Sequence, residues 1–413
     1  MGSTLIINIG ILANTREACH LLRGQELALL PCIENAYLLL EDDQIADYGP
    51  MSEWANNQKI PGSVIDARGA VVMPAWCDSH THLVFAGSRE NEFVDKIRGL
   101  TYAQINAQGG GILHSARKMN EISEDELFVL AWKRLEEISH LGTGAVEIKS
   151  GYGLTLEGEL KILRVIRRLR EKSNISIRST FLGAHSYPEA YRENHQGYIA
   201  LITDQMLPAI AAEKLADYID VFCESGFFSP EETALICQAG KKYGLKPRLH
   251  VNQLNSIGGI QVGIAQEAIS LDHLETMTAE DIRDLSGSNT IGTLLPSAAF
   301  FLRMPFQPAR QLISSGAAIA LASDFNPGSS PSGNMQFVVA LACIQMKMLP
   351  EEAINCATLN GAYALEMGSE LGSITRGKRA NLLFTKPIPS LAYIPYSFGT
   401  NLVDRVMIGG EFI

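Results

Sequence analysis

A chain of 413 residues, 46% hydrophobic and 19% charged, has the balance of a folded globular protein, long enough for one barrel-sized domain plus a smaller one, which excludes disordered and fibrous classes. A formal net charge of −11 argues against nucleic acid as a partner, because a phosphate backbone binds a basic surface, yet an anionic substrate is compatible with it wherever a local arginine overrides the overall field. No apolar run is as long as a membrane span and the N-terminus lacks a signal-peptide core, while seven scattered cysteines without a Cys-x-x-Cys pair read as reduced thiols, so a cytoplasmic chain without membrane partners is expected.

From residue 3 to 73, short apolar runs at 5–9, 27–30, 36–40, 64–65 and 71–73 are broken by Asp, Gly and Pro, the pattern of a small β unit. Strand-like runs return at 380–385 and 402–413, with Gly372, Gly377, Gly409 and Gly410 marking turns. Residues 1–73 and 369–413 are therefore expected to build one small β-sandwich from both termini, with a larger domain at 74–368 between them.

That larger domain alternates. Strand-length runs recur at 77–83, 145–148, 177–182, 219–222, 248–251, 269–271, 290–294 and 318–322, and helical periodicity fills 124–140, 156–172 and 230–243 between them. Eight such units predict an α/β fold of the TIM (β/α)8 barrel type. The weakest link is the glycine-rich stretch 255–267, where a helix is required. An open doubly wound sheet is the alternative, disfavoured because no glycine-rich dinucleotide turn follows the first strand.

In such a barrel, functional side chains collect at the C-terminal ends of the strands. The first run ends in His80 and His82, which as i and i+2 residues of a strand project to one face and can converge on a metal ion. The third runs into His185, the fifth carries His250, the sixth ends in Asp272 and His273, and the eighth ends in Asp324. One strand-end histidine is most simply a core residue bonded to backbone; five with an aspartate at corresponding positions argue for a site. Imidazoles with a carboxylate suit Zn²⁺ or Fe²⁺ and leave a position for water, whose pKa such an ion lowers from about 15.7 toward ~7. The fourth run ends Val221-Phe222-Cys223-Glu224 and offers no lysine to bridge a second metal, so a single metal is expected; Lys149, ending the second run, reads as a supporting lysine.

The segments HTHLVFAGSRENEF (80–93), GGGI (109–112), EIKSGYGL (147–154), TFLGAH (180–185) and SDFNPGSSP (323–331), with the Gly-Ser-Ile-x-x-Gly-Lys-x-Ala-Asn stretch at 372–381, resemble the amidohydrolase superfamily. Within it they are similar to the imidazolonepropionases, which open an imidazolone ring in histidine degradation. The resemblance implies metal ligands His80, His82, His250 and Asp324, one Zn²⁺ or Fe²⁺ (or Fe³⁺) per subunit, and a homodimer. It also implies that Arg89 and Tyr152 hold the substrate with His185 beside them. Arg89 suits an anionic propionate through a bidentate pair; its plainer reading is a loop arginine paired with Glu90 or Glu92. Tyr152 is otherwise a core aromatic, although Gly151 and Gly153 are poor neighbours for regular packing. Asn326, Gly328 and Ser329 follow Asp324 in a loop tightened by Pro327 and are placed to hold an open-chain product, N-formimino-L-glutamate; ordinary turn chemistry is the bland reading. His273 is the candidate general base, with Asp324 able to share that work.

One position departs from the pattern. Three residues after His250, where the family often has glutamate, stands Gln253, which can hydrogen-bond the ring but cannot donate a carboxylic proton. The triple glycine at 109–111 lacks the context of a phosphate cradle and reads as a loop over the site. His20, His114, His140 and His195 receive no role. The expected reaction is hydrolysis of a C–N bond in 4-imidazolone-5-propanoate. The alternatives are another mononuclear amidohydrolase, a deaminase or cyclic-amide hydrolase acting on a small carboxylate-bearing heterocycle, and a non-catalytic barrel that binds a metabolite or partner.

Overall fold

Eight strands, Trp76–Thr81, Thr143–Lys149, Ser176–Ala184, Tyr218–Cys223, Lys246–Val251, Ser270–His273, Ile291–Leu294 and Ile319–Leu321, pair in parallel and in sequence order in a computed structural model that describes residues 2–54, 61–100, 104 and 110–413. Beyond the last strand the circle closes on the first: Asp324 N–H donates to the His80 carbonyl at 3.0 Å and His82 N–H to the Phe325 carbonyl at 2.9 Å. The buried Asp78 carboxylate reinforces the seam by accepting from the backbone and hydroxyl of Ser323. Closure thus sets the two ends that carry His80, His82 and Asp324 side by side.

The helices Glu124–His140 and Leu156–Lys172 lie where periodicity places them. Ser123 and Glu126 form a capping box at the start of the first, and Leu127, Ala131, Leu135 and Ile138 supply its buried stripe. The glycine-rich stretch does hold a helix, Gly259–Ala265, pressed onto its strands: a Cβ on Gly263 would lie 2.3 Å from Leu271 and one on Gly259 2.8 Å from Val251. Glycine there permits close approach, which is why the apolar period is faint.

The termini share a separate eight-stranded sheet, in which Val71–Pro74 pairs with both Ser3–Ala13 and Leu382–Thr385. Its two arms meet over one core, with Leu38, Leu40 and Ile45 from one end and Leu382, Phe384 and Met407 from the other. One expected strand is absent. Residues 27 and 28 end a 3₁₀ turn, Gly24–Ala28, 29 and 30 leave it without regular structure, and Leu29 is 62% exposed. The Asn355 amide donates to the carbonyls of Leu27 and Leu29 at 2.9 and 3.0 Å, so side chains satisfy this backbone in place of a strand partner. Conversely, Gln44–Pro50 forms a strand that its polar sequence hid. All seven cysteines are free thiols, and no helix among the described residues is long and apolar enough to cross a membrane.

Candidate active site

Alternation along the barrel strands sends Glu147 and Lys149 inward from the second strand, Asp220 from the fourth, Arg248 and His250 from the fifth and Asp272 from the sixth. All but His250, which is 3% exposed, are completely buried. Lys149 Nζ lies 2.9 Å from Asp220, 3.0 Å from Glu147 and 3.6 Å from Asp272. Two cations, Lys149 and Arg248, thus face three carboxylates in the barrel floor, an arrangement that a further cation above it would balance.

Two of those carboxylates orient histidines. Asp272 meets His80 Nδ1 at 2.7 Å and Asp220 meets His250 Nδ1 at 2.9 Å, so each ring holds its Nδ1 proton toward an acid and turns Nε2 to the centre. His80 Nε2 is buried with no hydrogen-bond partner, and His250 Nε2 stands 3.3 Å from His82 Nε2. A ring nitrogen of each of His80, His82 and His250 lies within 4.8 Å of the other two, and Asp324 Oδ1 is 3.5 Å from His80 Nε2 and 3.6 Å from His82 Nε2. Burial first, then the nearby Lys149 and histidine charges, holds the His80 imidazole well below its ordinary pKa; for His82 and His250 burial likewise leads. Neutral rings clustered around unpaired lone pairs are the donor set of a metal centre.

Every other residue expected in the site lines a single cavity of about 590 Å³ above His80. Tyr152 enters on a loop gripped by Glu159, whose carboxylate accepts the N–H groups of Gly151, Gly153 and Leu154 at 3.0, 2.8 and 2.8 Å. His185 donates from Nδ1 to the Gly151 carbonyl at 3.0 Å and stacks on His82; burial lowers it to about 4, so it is neutral. Asn326 uses its amide within its own loop, accepting from Gly328 and Ser329 N–H at 2.8 Å each and donating to the Asp324 carbonyl and the Ser329 hydroxyl at 2.7 Å each. It therefore shapes the loop that presents Gly328 and Ser329.

Arg89 caps the helix Glu90–Ile97, and its Nε and Nη2 both donate to Glu92 Oε2, at 2.9 and 2.6 Å. The plain pairing foreseen for Arg89 is thus present and coexists with a place in the cavity wall. Gly109 lies outside the described residues, whereas Gly110 caps the helix Gly111–Glu121 and Gly111 N–H donates to Glu92 Oε1 at 3.1 Å. A Cβ on Gly328 would sit 2.3 Å from Arg89 Nη1. Gly328→Ala is accordingly expected to push the guanidinium aside and raise KM about tenfold with little change in kcat, measured by steady-state kinetics.

A model of the amidohydrolase family matches residues 227–413. An imidazolonepropionase of Flavobacterium johnsoniae is 59% identical over 412 residues, 99% of this chain and 100% of the relative. The chain belongs to the imidazolonepropionase family. A more distant imidazolonepropionase, from Thermoanaerobacter pseudethanolicus, is 40% identical over 93% of this chain and 91% of its own. Among solved structures, Escherichia coli guanine deaminase superposes with a TM-score of 0.75 at 13% identity, covering 100% of this chain and 99% of that one; this likeness shows the fold. As an imidazolonepropionase-family barrel, the chain has residues around its site that sequence reasoning left without a role: Asp220, Glu147 and Arg248 beneath the histidines and Glu275 beside His273. The i, i+2 spacings Glu147/Lys149, Arg248/His250 and His273/Glu275 carried that signal.

Proposed function

We propose that the chain hydrolyses the ring amide of 4-imidazolone-5-propanoate to give N-formimino-L-glutamate. The observation that carries this reading, beside family membership, is Arg89 in the same cavity as His82, His250 and Asp324, a cation placed for a substrate carboxylate. A deaminase or other hydrolase of uncharged rings would have no use for it.

His80, His82, His250 and Asp324 would hold one Zn²⁺ or Fe²⁺ (or Fe³⁺), and the unpartnered, buried His80 Nε2 fits that role. When bound, such an ion supplies Lewis acidity that makes water nucleophilic near neutral pH. The protein's own groups do the rest. Arg89 orients the propionate, and Tyr152 and His185 bound the ring. His273 Nδ1 lies 3.3 Å from Glu275 Oε1, so its Nδ1 proton is held there and Nε2 is the proton acceptor. Burial opposes protonation of His273, but Glu275, Asp324 and Asp272 together outweigh it and raise the imidazole above its ordinary pKa. As water adds to the ring carbonyl, His273 takes its proton and delivers one to the departing ring nitrogen, a duty that Gln253 cannot perform. Gln253 instead hydrogen-bonds the ring, and the loop that Asn326 shapes, with Gly328 and Ser329, receives the new carboxylate. A cytoplasmic homodimer completes the proposal, resting on composition and resemblance.

The test is turnover of imidazolone propionate generated in place from urocanate by urocanase, with metal determined on the same sample. Loss of imidazolone absorbance with appearance of formiminoglutamate supports the assignment. No turnover by a sample holding about one metal per chain, the ratio a mononuclear site requires, would sink it.

A further inference from the structure

We propose that Lys96 is the second cation of a carboxylate clamp and determines, beside Arg89, that this site takes a heterocycle with a short anionic tail; the inference rests on the substrate reading above. Arg89, Phe93, Lys96 and Ile97 all line the cavity, and their spacing of four, three and one puts them on one face of Glu90–Ile97 and its cap. Glu92 is fully engaged. One oxygen takes Nε and Nη2 of Arg89 and the other takes the Gly111 N–H.

That engagement closes the side fork of the guanidinium and leaves its Nη1 end against Gly328, where the Cβ of any other residue would collide with it. Lys96 Nζ reaches the same residue, 3.4 Å from the Gly328 carbonyl, and has no ion pair among the described residues. Two cations therefore converge on Gly328 with one carboxylate between them, already committed to Arg89. Phe93, stacked on Phe301 with ring centroids 5.3 Å apart, adds an apolar side to the cavity. A propionate carboxylate seated at Arg89 Nη1 balances the pair; an uncharged substituent leaves Lys96 uncompensated. The overall charge of −11 makes such local positive charge necessary for an anionic substrate.

The experiment compares wild type, Lys96→Met and Lys96→Arg in steady-state turnover of urocanase-generated imidazolone propionate, and in calorimetric titration with glutarate, a ring-free probe carrying the same kind of tail. Lys96→Met is expected to raise KM about 10- to 100-fold with kcat nearly unchanged, and Lys96→Arg to recover most of the loss. Glutarate affinity should fall in parallel. An unchanged KM and unchanged glutarate affinity in Lys96→Met overturn the clamp, as does a fall in kcat alone, which would mark a packing role against the Gly328 loop. Wild-type protein that fails to turn over the imidazolone yet binds glutarate through Lys96 overturns the substrate assignment and leaves the clamp standing. Wild type inert in both assays overturns both.

Discussion

Replacing His273 by glutamine is expected to lower kcat by about 10²- to 10⁴-fold while the protein keeps its metal. Glutamine preserves a donor toward Glu275, whose oxygen lies 3.3 Å from His273 Nδ1, but cannot take up a proton. The residue is held with φ 90° at the end of the sixth barrel strand and is followed by Leu274 at φ 67°, both in a region that costs a non-glycine residue energy. This turn aims the imidazole along the cavity wall, and neither His80, His82, His250 nor Asp324 depends on it for a hydrogen bond. Asp324→Ala should behave differently. It removes an oxygen 3.5 to 3.6 Å from two ligand candidates, so metal content and activity should fall together. Metal analysis and kinetics on the same preparations separate the two patterns. A His273→Gln protein that keeps a tenth of wild-type kcat, or that loses metal as Asp324→Ala does, would remove His273 from the proton-transfer role.

The positions of these residues were legible because strand-end chemistry survives translation into a single string. His80 and His82 lie two apart on a strand, His185, His273 and Asp324 each sit where an apolar run stops, and His250 lies near the end of its run; the barrel puts all of them but His80 in the wall of one cavity. What supports them was harder to read. Asp220 looks like an ordinary strand residue until the barrel brings it to Lys149, and Glu147, two residues before Lys149 on the same strand, shows its role only when both side chains are seen to point inward. Glu92 was visible only as one of two possible partners for Arg89, and its second bond, to Gly111, depends on how two helices meet. Misreading 27–30 as a strand had a physical source too. Four consecutive apolar residues satisfy a strand pattern, but Asn355, more than three hundred positions away, supplies the donors that a neighbouring strand would have provided.

Lys149→Met should destabilise the fold by about 3–5 kcal/mol, the usual consequence of removing one member of a buried ion-pair network. Methionine fills most of the volume, so the loss is electrostatic. Glu147, Asp220 and Asp272, all at 0% exposure, would face only Arg248, and full burial means that solvent cannot screen them. Burial lowers the lysine pKa, but Asp220, Glu147 and Asp272 together outweigh it and raise the group above its ordinary value. A cation with a raised native pKa contributes its stability in full below the unfolded value of about 10.4 and loses it as pH climbs through the native one, so the deficit should be constant across neutral pH. The effect reaches the site as well. Without the lysine, Asp220 and Asp272 lose the cation that positions them beneath the Nδ1 hydrogens of His250 and His80, which they now hold at 2.9 and 2.7 Å. Metal affinity, read by chelator competition, should fall about 10- to 100-fold. Adding Glu147→Gln to Lys149→Met removes one surplus negative charge and should recover part of the stability in urea unfolding without restoring affinity, since the lysine contacts to Asp220 and Asp272 stay missing. Wild-type midpoint and wild-type metal affinity in the single variant would show that the floor of the barrel and the histidines above it are independent.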